Sequence, residues 1–286
     1  MTRANGASKS GLGPLYREPP EQRPPCVCVV AGSDPSGGAG LQSDLKVLHA
    51  LGAYGTSAIT ALTVQDTARV HEVLPIDPFV VERQLETVLD DVPADCIKIG
   101  MLARRATVEL VTRVCERKAR GIPIVLDPVL VSSSGHELLE VDGHDTLIRR
   151  LMPLCALVTP NAHEAALITG LEISEESHLY QAADRFLLMG QGAVLITGGH
   201  LGGETVVDLL RTADGLERRF EAPRWPESPH GTGCAIASAV AAGLAHGFTL
   251  ESAVERAHDF VHAAIERSVR MGKGRPILQL SSGADG

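Results

Sequence analysis

The chain has 286 residues, 44% hydrophobic and 21% charged, with 26 basic against 35 acidic side chains and a formal charge of −9. That length holds one large α/β domain or two small ones, and the composition is that of a folded globular protein rather than a disordered chain. The acidic balance, without any long basic run, argues against nucleic acid as a partner. The longest apolar run, 235–245, is too short and too rich in small residues to span a bilayer.

Residues 1–25 are rich in Gly, Pro, Ser and charge and read as a disordered leader ahead of a single domain over 26–280. The first strand is expected over 26–31, followed by a glycine-rich loop over 32–40 and a helix over 41–51. A strand over 55–64 and a short edge strand over 71–76 come next. Val81, Leu85, Val88, Leu89 and Val92 recur at helical spacing and predict a helix over 78–92. Strands over 96–102 and 122–129 flank a helix over 107–119; the second is a continuous apolar run of the kind covered on both faces in a parallel sheet. A helix over 145–154, a strand over 156–159 and a helix over 163–169 follow. Leu179, Ala182, Ala183, Phe186 and Leu187 mark another helix, and 193–197 another strand. The stretches 205–211 and 216–222 form a hairpin across Asp214-Gly215, and helices over 232–246 and 250–269 close the chain. The alternation predicts a doubly wound, mostly parallel sheet flanked by helices, with a small antiparallel hairpin at one side. In such a sheet ligands bind beyond the carboxyl ends of the strands.

The loops that follow strands therefore carry the chemistry. His230-Gly231-Thr232-Gly233-Cys234 precedes a run of small apolar residues, so its glycines bring bare backbone to a helix start. Unpaired N–H groups and the helix dipole make that a cradle for an anion such as phosphate, and a thiol there can be lowered in pKa. The same residues also make a Gly-Thr-Gly turn capping a buried helix. The loop 32–40 is neither a Walker A loop nor a full dinucleotide fingerprint, which counts against a nicotinamide dehydrogenase. Gln65 offers a carboxamide that matches an aminopyrimidine edge. Met101 could wall an aromatic ligand or pack in the core. Asp127 is an acid at the end of a buried strand, costly unless paired or facing a site. Asn161 and Glu164 read either as a capping box or, with Asp127, as oxygen ligands organising Mg²⁺ through water. The six cysteines show no CxxC or zinc-finger spacing and read as free thiols in a reducing, cytoplasmic compartment.

The segments AGSDPSGGAGLQSDLK (31–46), LGAYGTSAITALTVQDT (51–67), IKIGML (97–102), VLDPVLVSSSG (125–135), TPNAHEA (159–165), TGGH (197–200) and HGTGC (230–234) resemble, in order, the signatures of hydroxymethylpyrimidine/phosphomethylpyrimidine kinases of thiamine biosynthesis. These belong to the ribokinase-like superfamily. The resemblance implies ATP–Mg²⁺-dependent phosphorylation of 4-amino-5-hydroxymethyl-2-methylpyrimidine and then of its monophosphate. It implies Gln65, Gly32, Ala39, Asp44, Met101 and Val129 around the pyrimidine, and Asn161, Thr197, Gly199 and His200 around the nucleotide. Asp127 and Glu164 would hold the metal, with Gly231, Thr232, Gly233 and Cys234 as the catalytic anion hole. Cys234 stands where many ribokinase relatives carry a catalytic aspartate. Relatives of this kind are typically homodimers. Thr197 departs from the family's lysine, so either Mg²⁺ and another cation compensate near the phosphates or ATP binding is weaker; Ala235 and the segment 225–229 also depart. A pyridoxal kinase of the same fold and a non-catalytic pyrimidine-binding module are the alternative readings.

Overall fold

The computed structural model describes residues 23–132 and 135–280. Most of the expected leader, 1–22, and two serines of the 125–135 segment lie outside those residues. Among the described residues nine strands form one sheet in the order β3-β2-β1-β4-β5-β6-β7-β8-β9. β1 (Cys26–Ser33) lies parallel between β2 (Tyr54–Gln65) and β4 (Cys96–Ile99). The parallel run continues through β5 (Ile124–Leu126), β6 (Leu157–Val158) and β7 (Ala193–Thr197).

Antiparallel pairing occupies both edges of the sheet, not one side as the sequence suggests. β8 (Thr205–Thr212) and β9 (Glu217–Pro223) form the expected hairpin beyond β7. At the opposite edge β3 (Val70–Pro75) runs antiparallel to β2. The cause is local: Asp66 Oδ1 accepts from the Ala68 and Arg69 N–H groups at 2.8 and 3.0 Å, closing a turn too short for a crossover.

Eight α-helices cover the sheet among the described residues. α1 (Gly40–Ala50), α7 (Thr232–Ala245) and α8 (Leu250–Glu266) pack on the face formed by Val27, Val29, Val125, Leu157 and Leu195. α2 (Pro78–Asp91), α3 (Arg105–Lys118), α4 (Val141–Thr146), α5 (Ala162–Thr169) and α6 (Glu176–Leu188) pack on the other, against Cys28, Val30, Ile97, Ile99 and Val158. Alternate residues of each central strand thus feed opposite cores, which is why these strands read as unbroken apolar runs. α7 is buried on nearly every side, and its small residues let α8 approach closely; a Cβ on Gly243 would lie 2.8 Å from Ala253 Cβ. The helix expected at 145–154 begins earlier, as α4, and then passes through a wide turn (Leu147–Leu151) and a tight one (Met152–Leu154). Pro153 cannot donate to an α-helical ladder there.

The chain leaves β1 toward β2 on one side, while the later parallel strands extend from β4 on the other. This reversal opens a crevice beyond the carboxyl ends of β1 and β4, where ligands bind in doubly wound sheets. The carboxyl-terminal segment returns to this rim: Arg275 N–H donates to Thr67 O at 3.0 Å and Ile277 pairs with both Val269 and His230.

Candidate active site

A cleft of about 730 Å³ opens at this reversal. Its floor is built by two helix starts that meet. Gly231 is the N-cap of α7, with φ of 84°. A Cβ there would lie 2.0 Å from the Gly38 carbonyl oxygen, so only glycine permits the contact between the loops. Neither α1 nor α7 has a side-chain cap, and Thr232, Gly233 and Cys234 all line the cleft with their α7 first-turn amides. The Gly40 N–H at the start of α1 points at the Cys234 sulfur. Two helix dipoles and a set of uncapped donors therefore converge on one point, the arrangement that binds a phosphoryl group.

Asp34 holds the glycine-rich loop in shape. Its carboxylate accepts from the Ser36 and Ala39 N–H groups and from the Ser36 hydroxyl at 2.8–2.9 Å. Gln42 receives the Asp34 N–H and donates to Ser33 Oγ. Burial pushes the Asp34 carboxyl up, but His230, Ser36 and Ala39 outweigh it and hold its pKa below the usual aspartate range.

Beneath the floor lies a buried charge cluster. Lys98 Nζ sits 3.0 Å from both oxygens of Asp44 and 3.9 Å from Asp127 Oδ2, and Ser238 on α7 donates to Asp44 at 2.7 Å. Burial opposes the Lys98 charge, yet the Asp44 carboxylate, with Asp127 beyond it, raises its pKa and keeps it protonated. Asp44 is fully buried and does not line the cleft; it anchors Lys98 instead of facing a substrate. Lys98 itself lines the cleft, and sequence reasoning passed over it because a lysine inside an apolar strand carries no motif.

Cys234 does not have the depressed pKa expected of a thiol at a helix start. Burial and the Asp127 carboxylate raise it above the ordinary thiol value, against the smaller opposing pull of Lys98. It stands beside Asp127 as a neutral thiol and stabilises the Asp127 charge. Asp127 Oδ2 is buried without a hydrogen-bond partner. Burial, then the neighbouring Asp127, raise Glu164 well above the glutamate range.

Asn161 and Glu164 form the capping box of α5, Asn161 Oδ1 accepting from Glu164 N–H and Glu164 Oε2 from Asn161 N–H, each at 3.0 Å. Capping does not remove them from the cleft, whose wall both help to form.

On the β1–β2 side the Gln65 carboxamide meets the His230 imidazole at 2.9 Å, and His230 Nε2 lies 3.4 Å from Asp34 Oδ2. Gly32 leaves room for Met101, whose sulfur would be 2.9 Å from a Cβ at that position. Ala39, Met101 and Val129 complete an apolar slot under Gln65. On the opposite side Thr197, Gly199 and His200 line the cleft, with Thr197 bridged to Asn161. Arg224 ties this loop by donating to Gly199 O and Gly203 O at 2.7 Å, and its remaining Nη2 is buried without a partner. Arg224, Arg275 and His163 all depress the His200 pKa, after burial, so positive charge gathers where the family's lysine is missing.

Fold and cleft together define a small-molecule kinase of ribokinase-like architecture, its cleft lying at the reversal of strand order beside the starts of α1 and α7. The chain belongs to the phosphomethylpyrimidine kinase family, whose pattern it matches over residues 34–279. It is 42% identical over 249 residues to the hydroxymethylpyrimidine/phosphomethylpyrimidine kinase of Rhizobium meliloti, covering 86% of this chain and 93% of that one. Identity to the Escherichia coli protein of the same name is 42% over 251 residues, covering 87% and 94%. The crystal structure of phosphomethylpyrimidine kinase from Clostridium difficile superposes with a TM-score of 0.74 at 34% identity, covering 84% of this chain and 99% of that one. Pyridoxal kinase from Staphylococcus aureus in complex with ADP superposes with a TM-score of 0.83 at 31% identity, covering 91% and 94%.

Proposed function

We propose that the protein transfers the γ-phosphoryl group of ATP to the hydroxymethyl group of hydroxymethylpyrimidine, and then a second phosphoryl group to the monophosphate, as the names of its relatives describe. The observation that carries this reading is the meeting of the α1 and α7 starts, with the Gln65 slot on one side and the Asn161–Thr197–Gly199–His200 wall on the other. Gln65 reads the aminopyrimidine edge, while Gly32, Ala39, Met101 and Val129 hold the ring flat. Asn161, Thr197, Gly199 and His200 receive the nucleotide, with Arg224 supplying charge in place of the absent lysine. The amides of Thr232, Gly233 and Cys234 take the transferred group. Phosphoryl transfer has a loose transition state and depends on position and charge more than on a strong base. A neutral Cys234 thiol at the floor suits that demand as a hydrogen-bonding shape element.

Mg²⁺ fits the donor set. Asp127 Oδ2 is orphaned, Glu164 lies near it, and Lys98 is the one buried cation among three buried carboxyl groups. Asp127 and Glu164 would hold the ion, which would supply charge neutralisation at the phosphate oxygens.

The exposed side chains of Leu62, Val64 and Leu74 lie on the β2–β3 edge, with Leu62 and Leu74 paired in register. They are the face on which two copies would form a homodimer. No helix among the described residues is long and apolar enough to cross a membrane, and all six cysteines are free, in keeping with a cytoplasmic setting.

The similarity to pyridoxal kinases supports a second reading, phosphorylation of pyridoxal in the same slot. Mass identification of products after incubation with ATP–Mg²⁺ and each alcohol separately distinguishes the two. Pyrimidine mono- and diphosphate are expected, whereas turnover of pyridoxal alone would overturn the first reading.

A further inference from the structure

Away from the carboxylates that suit Mg²⁺, the far wall of the cleft holds a cluster of a different chemical kind. Asp208 on β8 and His258 and His262 on α8 each present a ligand atom, all within 4.8 Å of one another. The two histidines are four residues apart on one helix, so they project from the same face one turn apart. Their inward nitrogens, His258 Nε2 and His262 Nδ1, are buried without a hydrogen-bond partner. His258 is 8% exposed, and its outer nitrogen Nδ1 lies 3.6 Å from Asp259 Oδ1. Asp208 Oδ1 accepts from the Gly198 N–H at 3.0 Å.

Unsatisfied buried imidazole nitrogens are costly and rare, and two facing one carboxylate call for a common occupant. No hydrogen bond joins Asp208 to either ring among the described residues.

We infer that Asp208, His258 and His262 bind a divalent transition metal of the Zn²⁺ class. Two imidazoles and one carboxylate with an open position are a zinc donor set, and imidazole is a poor ligand for Mg²⁺. Asp259 beside His258 and Gly198 on Asp208 supply the outer contacts that orient such ligands. Asp208 and His262 both line the cleft, so an ion could enter the cluster from that side. The bound ion would tie α8 to β8 and, through Gly198, to the nucleotide loop.

The test is titration of the full-length protein with Co²⁺, a spectroscopic stand-in for Zn²⁺, in excess Mg²⁺ so that oxygen-ligand sites are filled. One equivalent is expected to give the visible absorption of low-coordinate Co²⁺, bleached by added Zn²⁺. Either His262→Gln or Asp208→Asn is expected to weaken binding by about tenfold or more. Circular dichroism of each metal-free variant checks its fold; His262, the less buried ligand, decides the matter where Asp208→Asn fails to fold. Absence of the band in wild type, or an undiminished band in folded His262→Gln, would overturn the assignment.

Discussion

Lys98 and Asp44 form an ion pair with no solvent exposure on either side chain, Nζ lying 3.0 Å from both carboxylate oxygens. Removing one partner strands a charge in the core. Lys98→Met is expected to cost about 3–5 kcal/mol of stability, whereas joint replacement by Met and Leu recovers much of that. Urea denaturation midpoints of the single and double variants measure it. A loss under about 1 kcal/mol for the single variant would mean that the two groups are buried as a neutral amine and acid rather than as an ion pair.

Cys234 is the most accessible of the six thiols; the other five are buried. Its raised pKa means that alkylation by iodoacetamide is slow at neutral pH and keeps accelerating as pH rises past the ordinary thiol range. Peptide mass spectrometry is expected to show one dominant adduct, suppressed by ATP with pyrimidine. A rate already at its plateau at neutral pH would reveal a preformed thiolate and contradict the neutral thiol.

Asp34 has a folded pKa below its unfolded value, so its contribution is present above the unfolded pKa and is lost as pH falls through the folded one. The melting-temperature gap between wild type and Asp34→Asn is therefore expected to be constant near neutrality and to narrow below about pH 4. Differential scanning calorimetry across that range checks the sign. A gap that widens on acidification would contradict it.

Arg224 and Trp225 report on the nucleotide side. Arg224→Ala is expected to raise KM for ATP about tenfold, with a smaller change in KM for the pyrimidine, because the buried Nη2 stands near the loop that lacks the lysine. Adding Thr197→Lys to that variant is expected to restore part of the loss. Trp225, the single tryptophan, lines the cleft, so its fluorescence is expected to change on ATP binding.

Much of this was legible in the chain because parallel strands and glycine loops leave strong local signals. The strand-end positions of Gly32, Met101, Asp127, Asn161 and Thr197 followed from apolar runs stopping at polar or glycine residues. What escaped depends on long-range contact. Lys98 carries no signal of its own in the sequence, since its partner Asp44 lies 54 positions away. The thiol pKa at Cys234 could not be read from its helix start, because Asp127 and burial act through space against the dipole. β3 was found as an edge strand, but its direction hung on the Asp66 turn. Asp208 and the two α8 histidines, 50 and 54 residues apart in sequence, carried no motif.

Gly231→Ala tests most directly whether the paired helix starts hold the transferred phosphoryl group. A methyl group there meets the Gly38 carbonyl oxygen at 2.0 Å and must part the two loops. Steady-state kinetics with ATP–Mg²⁺ and hydroxymethylpyrimidine are expected to show kcat lowered by about a hundredfold or more. A folded Gly231→Ala variant with wild-type kcat would contradict the assignment of that junction as the anion hole.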